Sequence, residues 1–169
     1  MRIGVALGSN LGDRLGNLRT ARKKILDLPG IQPPVLSSAI YETDAIDCEP
    51  GAEKFLNAVL EFDYGGDPLD LWKSLTEIEV ALGRRRHHAR NVSREIDLDL
   101  LYAGEMKIDN QELQLPHPRM HLRKFVLQPL VDIRPGLILP NQTKTVRELL
   151  AKLDESGKVV RLTNNWDSR

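Results

Sequence analysis

Hydrophobic positions in the first part of the chain recur with two different periods, which separates strands from helices. Residues 2–8 form a short apolar run, which predicts a buried strand. Apolar residues between 15 and 26 recur at helical spacing as far as Pro29-Gly30, which predicts a helix. Two further strands are predicted at about 35–41 and 55–63, the second from a period of two. The pattern so far is strand, helix, strand, strand.

A second helix and a fourth strand complete the pattern. Asp67 is a suitable N-cap, Pro68 fits the first helical position, and Gly83 fits the position just past the end. Residues 95–102 then alternate with a period of two, as in a strand with one apolar face. The order βαββαβ predicts an α+β protein with a ferredoxin-like sandwich, an antiparallel sheet with helices on one face.

The remaining third of the chain predicts a helical extension. Thr145 and Glu148 form a capping box for a last helix that runs to about residue 153. The other predicted elements are a hairpin at 104–110, an extended piece at 113–115, a helix at 123–133, a strand at 159–162 and a loose C-terminal end.

Length, charge and cysteine content are those of an ordinary globular protein. We expect residues 1–169 to form one domain, because 169 residues suffice for a sizeable core. Lys plus Arg and Asp plus Glu are 24 each, which favours neither nucleic acid nor an anionic membrane as a partner. A single cysteine, Cys48, and an apolar N-terminal run too short for a signal peptide predict a cytoplasmic protein. We expect a monomer or a weak dimer.

The most informative stretch joins a cationic segment to a pair of carboxylates. Residues 84–94 contain five arginines and two histidines and no acid. In the strand that follows, Asp97 and Asp99 point to the same side, roughly 6–7 Å apart. Such a pair suits Mg²⁺, which prefers one or two carboxylates plus substrate phosphates. Arginines just upstream can clamp those phosphates. The stretch predicts a site for a metal-bound polyphosphate.

Two less specific interpretations remain open from the residues alone. Arginine runs are usually solvated, and paired aspartates on an edge strand often serve solubility. Ferredoxin-like sheets also bind RNA, but that role needs aromatic side chains on the sheet and a positive surface. Aromatic content is only 5%, and Asp97 and Asp99 would repel a phosphate backbone in the absence of metal.

Several motifs resemble 6-hydroxymethyl-7,8-dihydropterin pyrophosphokinases of folate biosynthesis, in that family's order over residues 3–140. The matching motifs are Gly8-Ser9-Asn10-Leu11, Thr43, Phe55-Leu56-Asn57-Ala58, Gly83-Arg84, Arg94-Glu95-Ile96-Asp97-Leu98-Asp99-Leu100-Leu101, Pro116-His117, Arg123 and Phe125. The resemblance implies the ferredoxin-like fold and an enzyme that moves the terminal diphosphate of ATP to the hydroxymethyl oxygen of the pterin and releases AMP.

The resemblance also implies roles for individual residues. Asp97 and Asp99 would hold two Mg²⁺ ions, and the phosphates would be neutralised by Arg84, Arg94 and Arg123. The remaining implied roles are Glu79, Arg86 and His117 toward the nucleotide, Thr43 and Asn57 hydrogen-bonded to the pterin edge, and Phe55 and Phe125 against the pterin ring.

Two departures from the family pattern suggest an altered acceptor side. The family usually has Trp-Gly-Pro before the central arginine, where this chain has Asn91-Val92-Ser93 before Arg94. After Thr43 the family usually has prolines, where this chain has Asp44-Ala45. An alternative function is therefore a divergent paralogue that binds Mg-ATP but uses a different acceptor.

Overall fold

A computed structural model describes residues 1–45, 48–83, 93–154 and 157–167. The predicted hairpin pairs two short strands further along than expected, Ile108–Asp109 with Gln114–Leu115. The strands and helices described in these ranges are β1 (Arg2–Ser9), α1 (Arg14–Leu26), β2 (Ile31–Ser37), β3 (Ile40–Thr43), β4 (Phe55–Tyr64), α2 (Pro68–Ala81), β5 (Asp97–Ala103), β6 (Ile108–Asp109), β7 (Gln114–Leu115), a 3₁₀ turn (Met120–Leu122), α3 (Lys124–Ile133), α4 (Val146–Lys152) and β8 (Val159–Thr163).

The main sheet is antiparallel and has the strand order β5-β1-β4-β3-β8, with β2 also paired to β4. Strand β4 is central because it pairs with β1 on one side and with β2 and β3 on the other. If β2 and β3 are counted as one strand, the βαββαβ order and the ferredoxin-like sandwich predicted from the sequence are confirmed.

The strand predicted at 35–41 is in fact two strands, and this boundary prediction was wrong. Strand β2 begins earlier and contains both prolines, and a break at Ser38 separates it from β3. The Ser38 hydroxyl accepts a hydrogen bond from the Val59 N–H at 2.9 Å, and the Ser38 N–H donates to the Val59 carbonyl at 2.9 Å. The Ser38 hydroxyl thus replaces a backbone carbonyl as the hydrogen-bond partner of the Val59 N–H. The edge of the sheet can therefore bend without leaving these backbone groups unpaired.

Helices cover both faces of the sheet, whereas the sequence prediction placed them on one. Helices α1 and α2 pack on the face that carries Ile3, Val5 and Leu7. Helices α3 and α4 pack on the opposite face, around Val59. The second layer covers only part of its face, so the end of the sheet near residue 57 stays open.

Both faces of β4 are buried, although apolar and polar residues partly alternate along its sequence. Glu61 has no exposed surface, and it forms ion pairs with Arg2 and with Arg134 (3.4 Å) and accepts a hydrogen bond from Tyr102. Burial, and to a smaller extent the Glu61 charge, raises the pKa of Tyr102 well above its usual value. A fully paired carboxylate can therefore occupy the core beneath α3.

The C-terminal part is better anchored than expected. The capping box at Thr145 and Glu148 is confirmed, and β8 pairs with β3. The end of the chain was expected to be loose, but Trp166 donates its indole N–H to the Ser38 carbonyl at 2.8 Å, and the Arg22 guanidinium lies 5.6 Å from its ring centroid. None of the helices in the described residues is long and apolar enough to cross a membrane.

Candidate active site

The open end of the α3 face forms a cleft that contains most of the residues singled out from the sequence. The ones that line it are Thr43, Phe55, Asn57, Arg94, Asp97, Asp99, Arg123 and Phe125. Strand register assembles its base, because Asn57 on β4 faces Gly8 on β1, which in turn faces Asp97 on β5. The predictions for Arg84 and Arg86 lie outside the described residues.

The two aspartates lie on the cleft side of β5, each beside one arginine. The Arg94 guanidinium lies 2.9 Å from the Asp97 carboxylate, and that of Arg123 lies 3.5 Å from Asp99. The aspartate side chains are 27% and 34% exposed, so a ligand can reach them. Their neighbours on β1 are Gly8 and Ala6, which leave room around the carboxylates.

This donor set fits Mg²⁺ better than a metal held entirely by protein. Two carboxylates converge, and no group of three or more His, Cys, Asp or Glu side chains with metal-binding geometry occurs among the residues that the structure describes. A magnesium ion in proteins commonly takes one or two carboxylates and completes its octahedron with water and substrate phosphates. Asp97 and Asp99 are the residues able to hold it here.

Arg94 is positioned by a buried amide at the end of β1. The side-chain Oδ1 of Asn10 accepts the Arg94 backbone N–H at 2.8 Å, and the backbone N–H of Asn10 donates to the Arg94 carbonyl at 3.1 Å. The Asn10 amide nitrogen also donates to the Ser93 hydroxyl and to the Glu53 carbonyl. The glycine-rich turn after β1 therefore fixes the segment that enters β5, and Arg94 with it.

A polar pair and two aromatic rings form the other half of the cleft. The Asn57 amide donates to the Thr43 hydroxyl at 2.7 Å, and both side chains are buried. This bond orients the amide, which offers both a donor and an acceptor to a flat heterocycle. Phe55 and Phe125 supply ring surface, and the Arg123 guanidinium lies 5.5 Å from the Phe125 centroid. At this distance the guanidinium and the ring form a cation–π interaction, because the negative face of the ring attracts the positive charge.

Gly8 allows a flat ligand to approach the base of the cleft. A Cβ added there would lie 3.0 Å from Asn57 Oδ1 and 3.7 Å from the Phe55 ring. We expect Gly8→Ala to raise the KM for the acceptor about tenfold, because a small displacement of Asn57 spoils its alignment. Steady-state kinetics with varied acceptor concentration would check this. Gly136→Ala is the control, since a Cβ there meets nothing within 4 Å; an equal effect in both variants would contradict the argument.

Glu79 lies beneath β5 rather than in the cleft. Its carboxylate accepts the Leu98 backbone N–H at 2.7 Å, and the residue is 5% exposed. Leu98 stands between the two aspartates in sequence, so this bond holds the part of β5 that presents them.

His117 lines a neighbouring cavity of about 500 Å³ that borders Asp99. Burial, followed by the positive charges of Arg123 and Arg119, lowers the pKa of His117 from 6.5 to about 4. Its Nδ1 accepts the Arg119 N–H at 3.2 Å, which leaves Nε2 as the donor of the neutral ring. The cavity also contains Trp72 and the outer edge of β5 near Leu98. A ring system and a neutral hydrogen-bond donor there suit a nucleotide.

The pKa of His117 predicts how the stability of the chain depends on pH. The unfolded chain takes up a proton near pH 6.5, whereas the folded chain does so only near pH 4. The contribution of His117 to stability is therefore complete above pH 6.5 and is lost as the pH falls toward 4. NMR titration of the ring should give a midpoint near 4, and His117→Asn should flatten the stability profile between these values. A midpoint near 6.5 would contradict the prediction.

The family assignment follows from the sequence comparison. The sequence profile of the 7,8-dihydro-6-hydroxymethylpterin-pyrophosphokinase family matches residues 4–135, which include both aspartates and both cleft arginines. The chain belongs to this family. The resemblance seen in the motifs is confirmed, and the family is one of enzymes that transfer diphosphate, with ATP as co-substrate.

Relatives in bacteria support the assignment along most of the chain. The 2-amino-4-hydroxy-6-hydroxymethyldihydropteridine pyrophosphokinase of Methylorubrum extorquens is 39% identical over 90% of this chain and 94% of its own length. The enzyme of the same name from Bacillus subtilis is 40% identical over 76% of this chain and 75% of its own.

A solved structure supports the fold. The wild-type HPPK-DHPS of Plasmodium falciparum with pterin and p-hydroxybenzoate has a TM-score of 0.68, with 14% identity, over 93% of this chain. This chain spans 46% of that longer protein.

The structure also adds residues that sequence reasoning did not assign to the site. Asn10 positions Arg94, Arg119 lines the cavity of His117, and Asp44 and Cys48 line the cleft. Asn10 stands directly after the buried strand β1, where an amide is commonly needed to cap backbone groups. The position of Asn10 after β1 was therefore the sequence feature that could have indicated its role. Arg119, Asp44 and Cys48 come close to the site only through contacts between distant parts of the sequence.

Proposed function

We propose that the chain transfers the terminal diphosphate of ATP to the hydroxymethyl oxygen of 6-hydroxymethyl-7,8-dihydropterin and releases AMP. The acceptor oxygen attacks the β-phosphorus, the bond from that phosphorus to the oxygen bridging the α-phosphorus breaks, and AMP leaves with the electron pair. The hydroxyl proton is released to water. Such a reaction needs chiefly positioning and neutralisation of charge.

The chain supplies both requirements at the Asp97 end of the cleft. Asp97 and Asp99 would hold two Mg²⁺ ions, which supply charge neutralisation on the phosphates when bound. Arg94 and Arg123 contact these carboxylates and can turn one or more guanidinium N–H groups toward phosphate oxygens. Arg84 and Arg86 are proposed to assist from the preceding basic segment.

The opposite end of the cleft is proposed to bind the pterin. The Thr43–Asn57 pair would hydrogen-bond the polar edge of the ring system, while Phe55 and Phe125 bury its faces. The pterin would lie across Gly8, where no side chain intervenes between the amide and the metal-binding carboxylates. That arrangement directs the hydroxymethyl group toward Asp97.

The nucleotide is proposed to occupy the neighbouring cavity with His117. Neutral His117 can donate from Nε2 to a ribose or phosphate oxygen, and Glu79 secures the strand that separates the two cavities. The two cavities share Asp99, so a triphosphate extending from the nucleotide would pass the carboxylates before it reaches the acceptor.

One observation carries the proposal: two aspartates, each paired with one arginine, line one end of a cleft whose other end presents an oriented amide. A divergent paralogue that uses another acceptor would keep the first half and alter the second. The Asn57–Thr43 bond favours the pterin, because the amide is held ready for an edge that both donates and accepts.

The test is an assay of AMP release with ATP and Mg²⁺, in the presence and absence of 6-hydroxymethyl-7,8-dihydropterin. Pterin-dependent AMP is the expected result. Binding of Mg-ATP without pterin-dependent AMP would favour another acceptor and overturn the proposal. Omitting Mg²⁺ and adding a chelator should abolish release, and titrating the metal would give the number of ions.

The remaining expectations concern the setting of the reaction. We expect the chain to act in the cytoplasm as a monomer or weak dimer, on small molecules and without nucleic acid, since its charges balance at 24 of each sign. Sedimentation equilibrium at micromolar concentration would test the oligomeric state.

A further inference from the structure

A second groove adjoins the proposed pterin cleft, and Arg119 lines both this groove and the proposed nucleotide cavity. It is a cavity of about 630 Å³ between Thr43-Asp44, residues 122–125 at the start of α3, and residues 152–154 and 157–159. Four residues line both the groove and the cleft, namely Thr43, Asp44, Arg123 and Phe125. The two cavities are therefore neighbours that share a wall. Nothing in the proposed reaction so far uses the groove.

The lining of the groove is strongly basic. Among the residues that the structure describes, its cations are Arg119, Arg123, Lys124, Lys152 and Lys158, whereas its acids are Asp44 and Asp154. Asp44 is already engaged, because it accepts the Lys158 backbone N–H at 3.2 Å and lies 3.7 Å from the Lys54 ammonium. The groove therefore has an excess of positive charge in a chain whose overall charge is zero.

The lysines of the groove form no salt bridges with acids in the part of the chain that the structure describes. Within the described ranges, no carboxylate lies within ion-pair distance of Lys124, Lys152 or Lys158. The neighbouring Lys144 ammonium, which contacts Lys152, lowers the pKa of Lys152. Two like charges therefore lie close together here, with Glu148 as the acid that acts on both, and the positive potential of the groove is highest at its lysines.

Helix α3 adds its own positive end to the same groove. The helix has ten residues, and its first residues, Lys124 and Phe125, line the cavity. Its N-cap is Arg123, no side chain caps it, and its first turn contains no acid. Free N–H groups at a helix start favour an anion, and here they lie beside the lysines.

We infer that this basic groove is a second oxyanion subsite, which takes the diphosphate group of the pterin product as that group leaves the metal-binding aspartates. Arg123 connects the two places, since it contacts Asp99 and also lines the groove. A diphosphate carries several oxygens and charges, which suits three lysine point charges and one arginine fork. The identification of the occupant as the product's diphosphate rests on the proposed function. The inference that the groove binds oxyanions does not depend on it.

The first test uses inorganic diphosphate as the probe in Mg²⁺-free buffer at low salt, with binding measured by calorimetry. The double variant Lys152→Gln/Lys158→Gln should weaken binding about tenfold, as expected for two exposed charge contacts. The control is Lys24→Gln/Lys107→Gln, which removes the same charge from two exposed lysines that do not line the groove. Equal affinity in the groove variant and the wild type, or an equal loss in both variants, would overturn the subsite.

The second test identifies the occupant. The dihydropterin diphosphate product should inhibit the groove variant several-fold more weakly than the wild type, with the KM for ATP unchanged. Product inhibition that does not change would overturn the assignment of the occupant. Wild-type chain that fails to release AMP, but binds diphosphate through Lys152 and Lys158, would refute the proposed function and leave the subsite standing.

Discussion

Replacing Asp97 by alanine should lower the rate of AMP release about a thousandfold, the scale on which a preorganised charge in an active site contributes. The carboxylate lies beside Arg94 at 2.9 Å and lines the cleft, and its strand position is fixed by backbone pairing with Gly8. Alanine keeps that pairing and removes the proposed metal ligand. The loss should therefore appear in kcat measured at saturating Mg²⁺, while thermal unfolding changes little.

The matched control for Asp97→Ala is Asp70→Asn, which removes a carboxylate from an exposed position on α2. It should retain the rate of the wild type. Excess Mn²⁺ should not restore Asp97→Ala, because a single carboxylate remains. An Asp97→Ala chain that still releases AMP at the normal rate would refute the metal site on β5.

The aspartate pair was predictable because it depends on local sequence alone. A period of two places Asp97 and Asp99 on one side of any strand, whatever surrounds it. The strand itself was evident from Ile96, Leu98 and Leu100, which the structure buries in the core. The prediction needed no knowledge of which strands would become neighbours.

The opposite face of the sheet was not predictable in the same way. Alternation along β4 indicated one apolar face, and the sequence prediction placed helices on one face of the sheet only. The structure instead buries Asn57, Val59 and Glu61 on that second face, because α3 and α4 cover part of it. Glu61 is polar and buried because Arg2, Arg134 and Tyr102 converge on it from distant parts of the sequence. The sequence around Glu61 does not indicate which distant residues will pair with it, so its burial could not be predicted from the local pattern.

The partial covering of that face also explains where the cleft lies. Helix α3 packs against Val59, whereas Asn57, two residues earlier on the same face of β4, stays accessible to the cleft. The start of α3 then supplies Arg123 and Phe125 as the wall. A helix that was predicted only as an extension of the fold thus completes the site, and the motif residues on it acquire their place from tertiary packing.

Arg123→Ala is expected to lower kcat for diphosphate transfer about a thousandfold, in the range known for arginines that neutralise a transferring phosphoryl group. Its guanidinium lies between the Asp99 carboxylate at 3.5 Å and the Phe125 ring at 5.5 Å. Burial lowers the pKa of Arg123, and the Asp99 charge partly offsets this effect. The same burial leaves the guanidinium charge less screened by water than that of a surface arginine.

Arg123→Lys should recover only part of the activity, since an ammonium keeps the charge but cannot bridge two phosphate oxygens with a planar fork. Arg147→Ala, on the exposed side of α4, is the control and should match the wild type. If Arg123→Ala binds Mg-ATP normally but no longer releases AMP, Arg123 stabilises the transition state of the transfer. A raised KM with unchanged kcat would instead restrict Arg123 to ground-state binding and contradict its proposed role in transfer.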